Sequence, residues 1–163
     1  MNKVLKILFF LVLLIPSVGT YAQLSDDEKD FLANRVKDNY EGFGITGTQV
    51  YKTSKHWTLV AITESSGLGA LNARQAQISA TRSVKEFLVG AVNTSTTIYN
   101  ASSKEKNGEL NEESSLSDKI VQEAKDVLNS KGLQTLMSFK NSEGKRVYVY
   151  YLVLSKKNAK RKI

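Results

Sequence analysis

Few residues in this sequence can do chemistry, and their spacing limits what they can do. His56 is the single histidine, and cysteine is absent. Zinc needs several His, Cys or carboxylate ligands gathered at one point, and a serine triad needs a histidine held by an acid. His56, beside Trp57 on a strand-like run, serves neither in its usual form. "GFGITG" (Gly42–Gly47) has G-x-G-x-x-G spacing, but dinucleotide chemistry requires a strand before it and a helix after it. Here a helical pattern precedes and a strand pattern follows, so a strand-entry turn is expected. "ESSGLGA" (Glu64–Ala70) does join a strand to a helix. Its amides around Gly67, Leu68 and Gly69 could hold an anion at the helix N-terminus. No lysine follows in Walker spacing, and a turn with a serine cap is the simpler expectation. Glu112 and Glu113 lie in a polar run where no apolar surround prepares a carboxyl for general-acid work. No catalytic, cofactor-binding or metal-ligating residue is assigned, and a non-enzyme is expected.

The amino terminus reads as an export signal. Lys3 and Lys6 precede an apolar run from Ile7 to Ile15, Pro16 breaks it, and Thr20 and Ala22 offer small side chains to a signal peptidase. Residues 1–22 are therefore expected to be a signal peptide, cut before Gln23. The apolar run is about nine residues, too short for a bilayer-spanning helix of about 20. No transmembrane helix is expected after cleavage, and the mature protein should be periplasmic or secreted. The rest of the chain, about 140 residues, suits one domain over residues 23–155 and a basic tail over 156–163. Without cysteine, an exported domain depends on its hydrophobic core and carries no lipid-bearing thiol. Much of the formal net charge of +7 belongs to Lys156, Lys157, Lys160, Arg161 and Lys162, which leaves the body close to neutral. That cluster is a candidate for binding an anionic surface such as phospholipid or lipopolysaccharide; export argues against nucleic acid.

These features must be positioned by a small set of elements. Ser25 and Glu28 stand in capping-box spacing, and Phe31, Leu32, Val36 and Tyr40 recur at helical intervals, predicting a short helix over Ser25–Tyr40. Ile45–Lys52 and His56–Thr63 read as two strands around a turn, and "NTSTTIYN" as a third. Between them a helix is expected over Ala70–Val92, with Ala73, Ala76, Ala80, Val84, Phe87 and Ala91 on one stripe. Its alanines allow close approach to a sheet. The opposite side carries Arg74, Arg82 and Lys85, but also Leu71, Ile78 and Val89. A helix built to grip DNA would carry its cations without three aliphatics among them, so a sheet-covering helix with a second contact face is expected. Leu71, Arg74, Ile78, Arg82 and Val89 are thus candidate interaction residues.

Residues 101–115 have no apolar periodicity and read as a long polar loop. Leu116, Ile120, Val121, Ala124, Val127 and Leu128 predict a second helix, capped by Ser115 with Asp118 and ended at Gly132. Leu133–Lys140 and Arg146–Ser155 form a hairpin pattern. The last strand is apolar on both alternations, which places it centrally with both sides covered. The alternative is that the side bearing Tyr148 and Tyr150 is a docking surface. The expected class is α+β, with a single antiparallel sheet of about four or five strands and two main helices on one face. The short N-terminal helix would dock at an edge or stay loosely held.

Ala73, Ala76, Ala80 and Val84, then Ile120, Val121 and Ala124, then Val147 to Leu154 form a recognisable succession. Over about Ile45–Ser155 it resembles the amino-terminal domain of the flagellar assembly protein T and the related LPP-twenty lipoprotein family. The resemblance implies an α+β envelope domain with no catalytic residues, acting in assembly or interaction. The chain lacks the lipobox cysteine, so the lipid anchor of the lipoprotein members does not carry over. The expected function is an exported, non-catalytic envelope interaction or assembly module whose partner is an envelope protein or a second copy. The alternative is a polyanion-binding module using the basic tail.

Overall fold

The computed structural model describes residues 22–53, 56–66, 69–91, 95–101 and 112–155. The expected signal peptide, the middle of the polar loop, the glycine turn at 67–68 and the basic tail lie outside the described residues. The elements are α1 (Asp26–Phe43), β1 (Gly47–Lys52), β2 (His56–Ser65), α2 (Ala70–Gly90), β3 (Ser95–Asn100), β4 (Glu112–Ser115), α3 (Asp118–Lys131), β5 (Gln134–Lys140) and β6 (Arg146–Ser155). The α+β class holds. Among the described residues the strands form one six-stranded sheet in the order β4-β3-β1-β2-β6-β5.

Several ends are set by local chemistry. The Ser25 side chain accepts from the Glu28 backbone N–H at 3.3 Å, and the Glu28 carboxylate accepts from the Ser25 N–H at 3.0 Å, completing the capping box of α1. Gly44, at φ 63°, closes the same helix in the left-handed region. The N-cap of α3 is Ser117 rather than Ser115, because Ser115 is drawn into β4 and Leu116 into the core.

The β6 strand explains the layering. Tyr148, Tyr150, Leu152 and Leu154 belong to a core shared with α2 and α3. Val147, Val149, Tyr151 and Val153 belong to a second core under α1, with Leu32, Val36, Tyr40, Val60 and Ile62. The N-terminal helix therefore roofs the second face of the sheet instead of sitting at an edge. An apolar layer on both sides of β2 and β6 requires two roofs, and each fully buried aliphatic contributes about 1.5–3 kcal/mol. Tyr148 and Tyr150 are 9% and 3% exposed, so they are core residues and not a docking surface. Tyr150 also anchors α2, its hydroxyl donating to the Ala73 carbonyl at 2.9 Å.

Two features of the sheet differ from the sequence expectation. The first is that β3 pairs with β1 in parallel, whereas every other pair is antiparallel. The course of α2 accounts for it. Thr48, Ala61 and Tyr150 lie side by side across β1, β2 and β6. At that one height Ala73 of α2 meets Tyr150, and Ser83 meets Thr48 at 2.8 Å. The helix thus runs across the strands from β6 to β1, delivering the chain beyond β1 near the end where β1 begins. The second is that Glu112–Ser115, expected in the polar loop, pairs with β3 as the edge strand β4. Backbone hydrogen bonding to an open strand needs no apolar pattern.

The predicted stripe on α2 meets the sheet. Ala80, Val84 and Leu88 are fully buried, Ala76 and Ala91 nearly so, while Ala73 and Phe87 flank them partly buried. Leu88, absent from the predicted stripe, fills the wider gap more fully than Phe87. Ala80→Leu should cost about 1–3 kcal/mol by overpacking the helix–sheet contact. Ser79→Leu, one residue away and exposed, should change stability by less than about 0.5 kcal/mol. Urea unfolding of the two variants checks this; equal costs would contradict the close-approach account.

Candidate functional site

Three constellations on this fold are candidates for a site. The first lies where the C-terminal end of α1, the end of β2 and the β5–β6 turn converge, around a cavity of about 580 Å³. Tyr40 donates to Glu64 Oε1 at 2.6 Å and accepts from Asn141 Nδ2 at 2.9 Å. Lys145 Nζ lies 2.7 Å from Glu143 and 3.8 Å from Glu64. Burial and the bond to Glu64 hold the Tyr40 phenol above its ordinary range. The Lys145 ammonium is likewise held protonated, by Glu143. A nucleophile or base needs the opposite shift, toward a free phenolate or amine near neutral pH. This cluster ties α1 to the hairpin. Sequence reasoning missed it because its members come from three distant segments.

The second is a polar cluster beneath α1. Asn39 Nδ2 donates to Tyr51 Oη at 3.0 Å, and Tyr51 Oη donates to Gln49 Oε1 at 2.7 Å. Tyr51 is fully buried and stacks on Tyr99 with ring centroids 5.2 Å apart. Among the described residues, Gln49 Nε2 and Thr58 Oγ1 have no hydrogen-bond partner. The cluster fixes where α1 sits, since Asn39 finds its partner at one register only.

The third is the outer face of α2. Leu71, Ile78 and Val89 are 71%, 63% and 76% exposed. At 3.6 residues per turn, all three fall within about 20° of one line along the helix, spread over about 27 Å. That line lies opposite Ala80 and the sheet. Arg74, Arg82 and Lys85 are exposed beside it, and Arg82 Nε donates to Glu86 at 2.8 Å. Gly132, at φ 70°, turns the chain out of α3 so that Leu133 comes alongside α2. Gln77 Nε2 bonds the Leu133 carbonyl at 3.4 Å and forms the floor of a groove of about 560 Å³. Arg74, Ile78, Thr81, Arg82 and Lys85 line it.

No family model, curated protein or solved structure matches the chain.

Of the sequence-derived candidates, the structure brings Arg74, Ile78 and Arg82 to one groove and sets Leu71 and Val89 on the same exposed line. It removes Tyr148 and Tyr150 to the interior. Lys156, Lys157, Lys160, Arg161 and Lys162 lie outside the described residues. Gly69, the described part of the proposed anion turn, precedes α2 at φ 111° without a side-chain cap. Among the described residues, no cluster of three or more His, Asp or Glu side chains could hold a metal ion, and no helix is long and apolar enough to cross a membrane.

The tyrosines should set an alkaline limit on stability. Burial raises the Tyr51 phenol well above its ordinary 10.0, and burial also raises Tyr40, Tyr150 and Tyr151. A raised folded-state pKa means the folded form holds its proton after the unfolded form has lost it. Stability should therefore be undiminished by these groups below about pH 10 and fall as pH rises beyond it. Tyr51→Phe should cost about 1–3 kcal/mol at neutral pH by stranding Asn39 and Gln49, and should make the alkaline decline shallower. Urea unfolding from about pH 8 to pH 11 tests the sign; an unaltered slope in the variant would refute it.

Proposed function

We propose that this chain is an exported, non-catalytic interaction domain of the cell envelope, and that its working surface is the outer face of α2. One observation carries the reading. Three large aliphatics stand on a single line of a helix whose opposite side is already buried, and each is more than 60% exposed. Isolated surface aliphatics are common, but an aligned row flanked by cations and a groove has the anatomy of an interface. The fold does not need these side chains, since the stripe centred on Ala80 and Val84 already packs α2 on the sheet. The apolar run Ile7–Ile15 behind Lys3 and Lys6 supports export, and the resemblance to the LPP-twenty and flagellar assembly protein T domains supports an envelope setting.

Ile78→Glu tests this directly. The substitution is at an exposed position, so thermal unfolding should shift by no more than the equivalent of about 0.5 kcal/mol. Association should be lost, read by light scattering of the purified domain and by capture of specific partners from envelope extract. A monomer whose captures are the same for the variant and the native chain would falsify the reading.

A further inference from the structure

We propose that the groove beside α2 receives an acidic amphipathic helical segment of another protein, with aliphatic side chains against Ile78 and carboxylates against Arg74, Arg82 and Lys85. This rests on the reading of the outer face of α2 as the working surface and names its partner's chemistry. The groove lining includes three cationic side chains and no carboxylate, although the domain body is close to neutral. Between α2 and Leu133, the Gln77 amide reaches the Leu133 carbonyl, so the lining there is neutral. The aliphatic line spans about 27 Å, the length of a helix of about 18 residues, and helix-in-groove recognition uses apolar anchors aligned on one face.

Two other occupants fit less well. A bilayer would favour cations on both flanks of the aliphatic line. Here Arg74 and Lys85 lie on one flank, while the cation toward the other flank, Arg82, is engaged by Glu86 beside Gln75 and Ser79. A flat lipid surface also leaves a groove of about 560 Å³ unfilled. A second copy meets a charge conflict. In an antiparallel two-fold pairing, setting Leu71 against the copy's Val89 also sets Arg74 against its Lys85, because both pairs centre near residue 80. Like charges then face each other across the groove flank.

The test uses three probes with the mature domain. One is an 18-residue helical peptide with Leu at core spacing and Glu on both flanks, the second its Glu→Lys counterpart, and the third phosphatidylglycerol vesicles. The native domain should bind the acidic peptide, with backbone resonances of Arg74, Ile78, Arg82 and Lys85 shifting, and binding should weaken as salt rises. The double variant Arg74→Glu/Lys85→Glu should lose at least about tenfold in affinity for the acidic peptide and gain affinity for the basic one. Equal binding of the two peptides, no binding of either, or vesicle binding that shifts the same resonances overturns the acidic-helix proposal. If Ile78→Glu abolishes envelope association while the charge reversal leaves that association unchanged, the interaction surface stands and only the partner's charge is wrong. If neither variant alters association, the surface itself is wrong.

Discussion

The strand that closes the chain can turn neither of its sides to water. Valines, a leucine pair and three tyrosines alternate along β6 so that both faces are apolar, and β2 beside it repeats the condition with Leu59 and Ala61 on one side, Val60 and Ile62 on the other. A sheet with two such interior strands is stable only as the middle of three layers. The placement of α1 follows from this requirement. Its own amphipathicity is modest, with Leu32, Val36 and Tyr40 as its buried apolar contacts, yet it is the helix that covers the second face.

On the other face the limiting quantity is distance. Alanine at positions 76 and 80 brings the backbone of α2 close to β2, and Val84 and Leu88 take up the space further along. A helix seated by so narrow a stripe leaves most of its circumference outside the core. The outer row of Leu71, Ile78 and Val89 is consequently free of any packing duty, and its composition can answer to a partner. The groove adds a wall from the connection between α3 and β5, where Gly132 directs Leu133 back toward Gln77.

Much of this was legible in the sequence because it depends on short-range periodicity. The capping box at Ser25, the stripe on α2, the apolar face of α3 and the β5–β6 hairpin all follow from spacing within one element. The outer row of α2 was legible for the same reason. What the sequence concealed depends on long-range geometry. The diagonal course of α2 makes β1 and β3 parallel, and nothing in either strand encodes the direction of the helix between them. Glu112–Ser115 looks like loop because an edge strand is held by backbone bonds to β3. The docking face assigned to Tyr148 and Tyr150 was misplaced for a different reason. The doubly apolar β6 announced two roofs, and a third helix was available at the N-terminus, but a weakly amphipathic helix does not say where it lands. The Tyr40–Glu64–Asn141 bonds join residues 24 and 101 positions apart, beyond the reach of any local pattern.

The strand order also bears on when the molecule can assemble. β2 runs beside β1 almost immediately, yet its other neighbour is β6, paired from His56 with Ser155 to Ser65 with Arg146. Contacts that close loops this long form slowly, because chain entropy must be surrendered before they are rewarded. Until the final strand arrives, β2 keeps an open edge and both core layers lack the residues of β6. The N-terminal half is therefore not a folding unit in its own right, and the chain reaches its native state only after the last strand has been delivered to its slot.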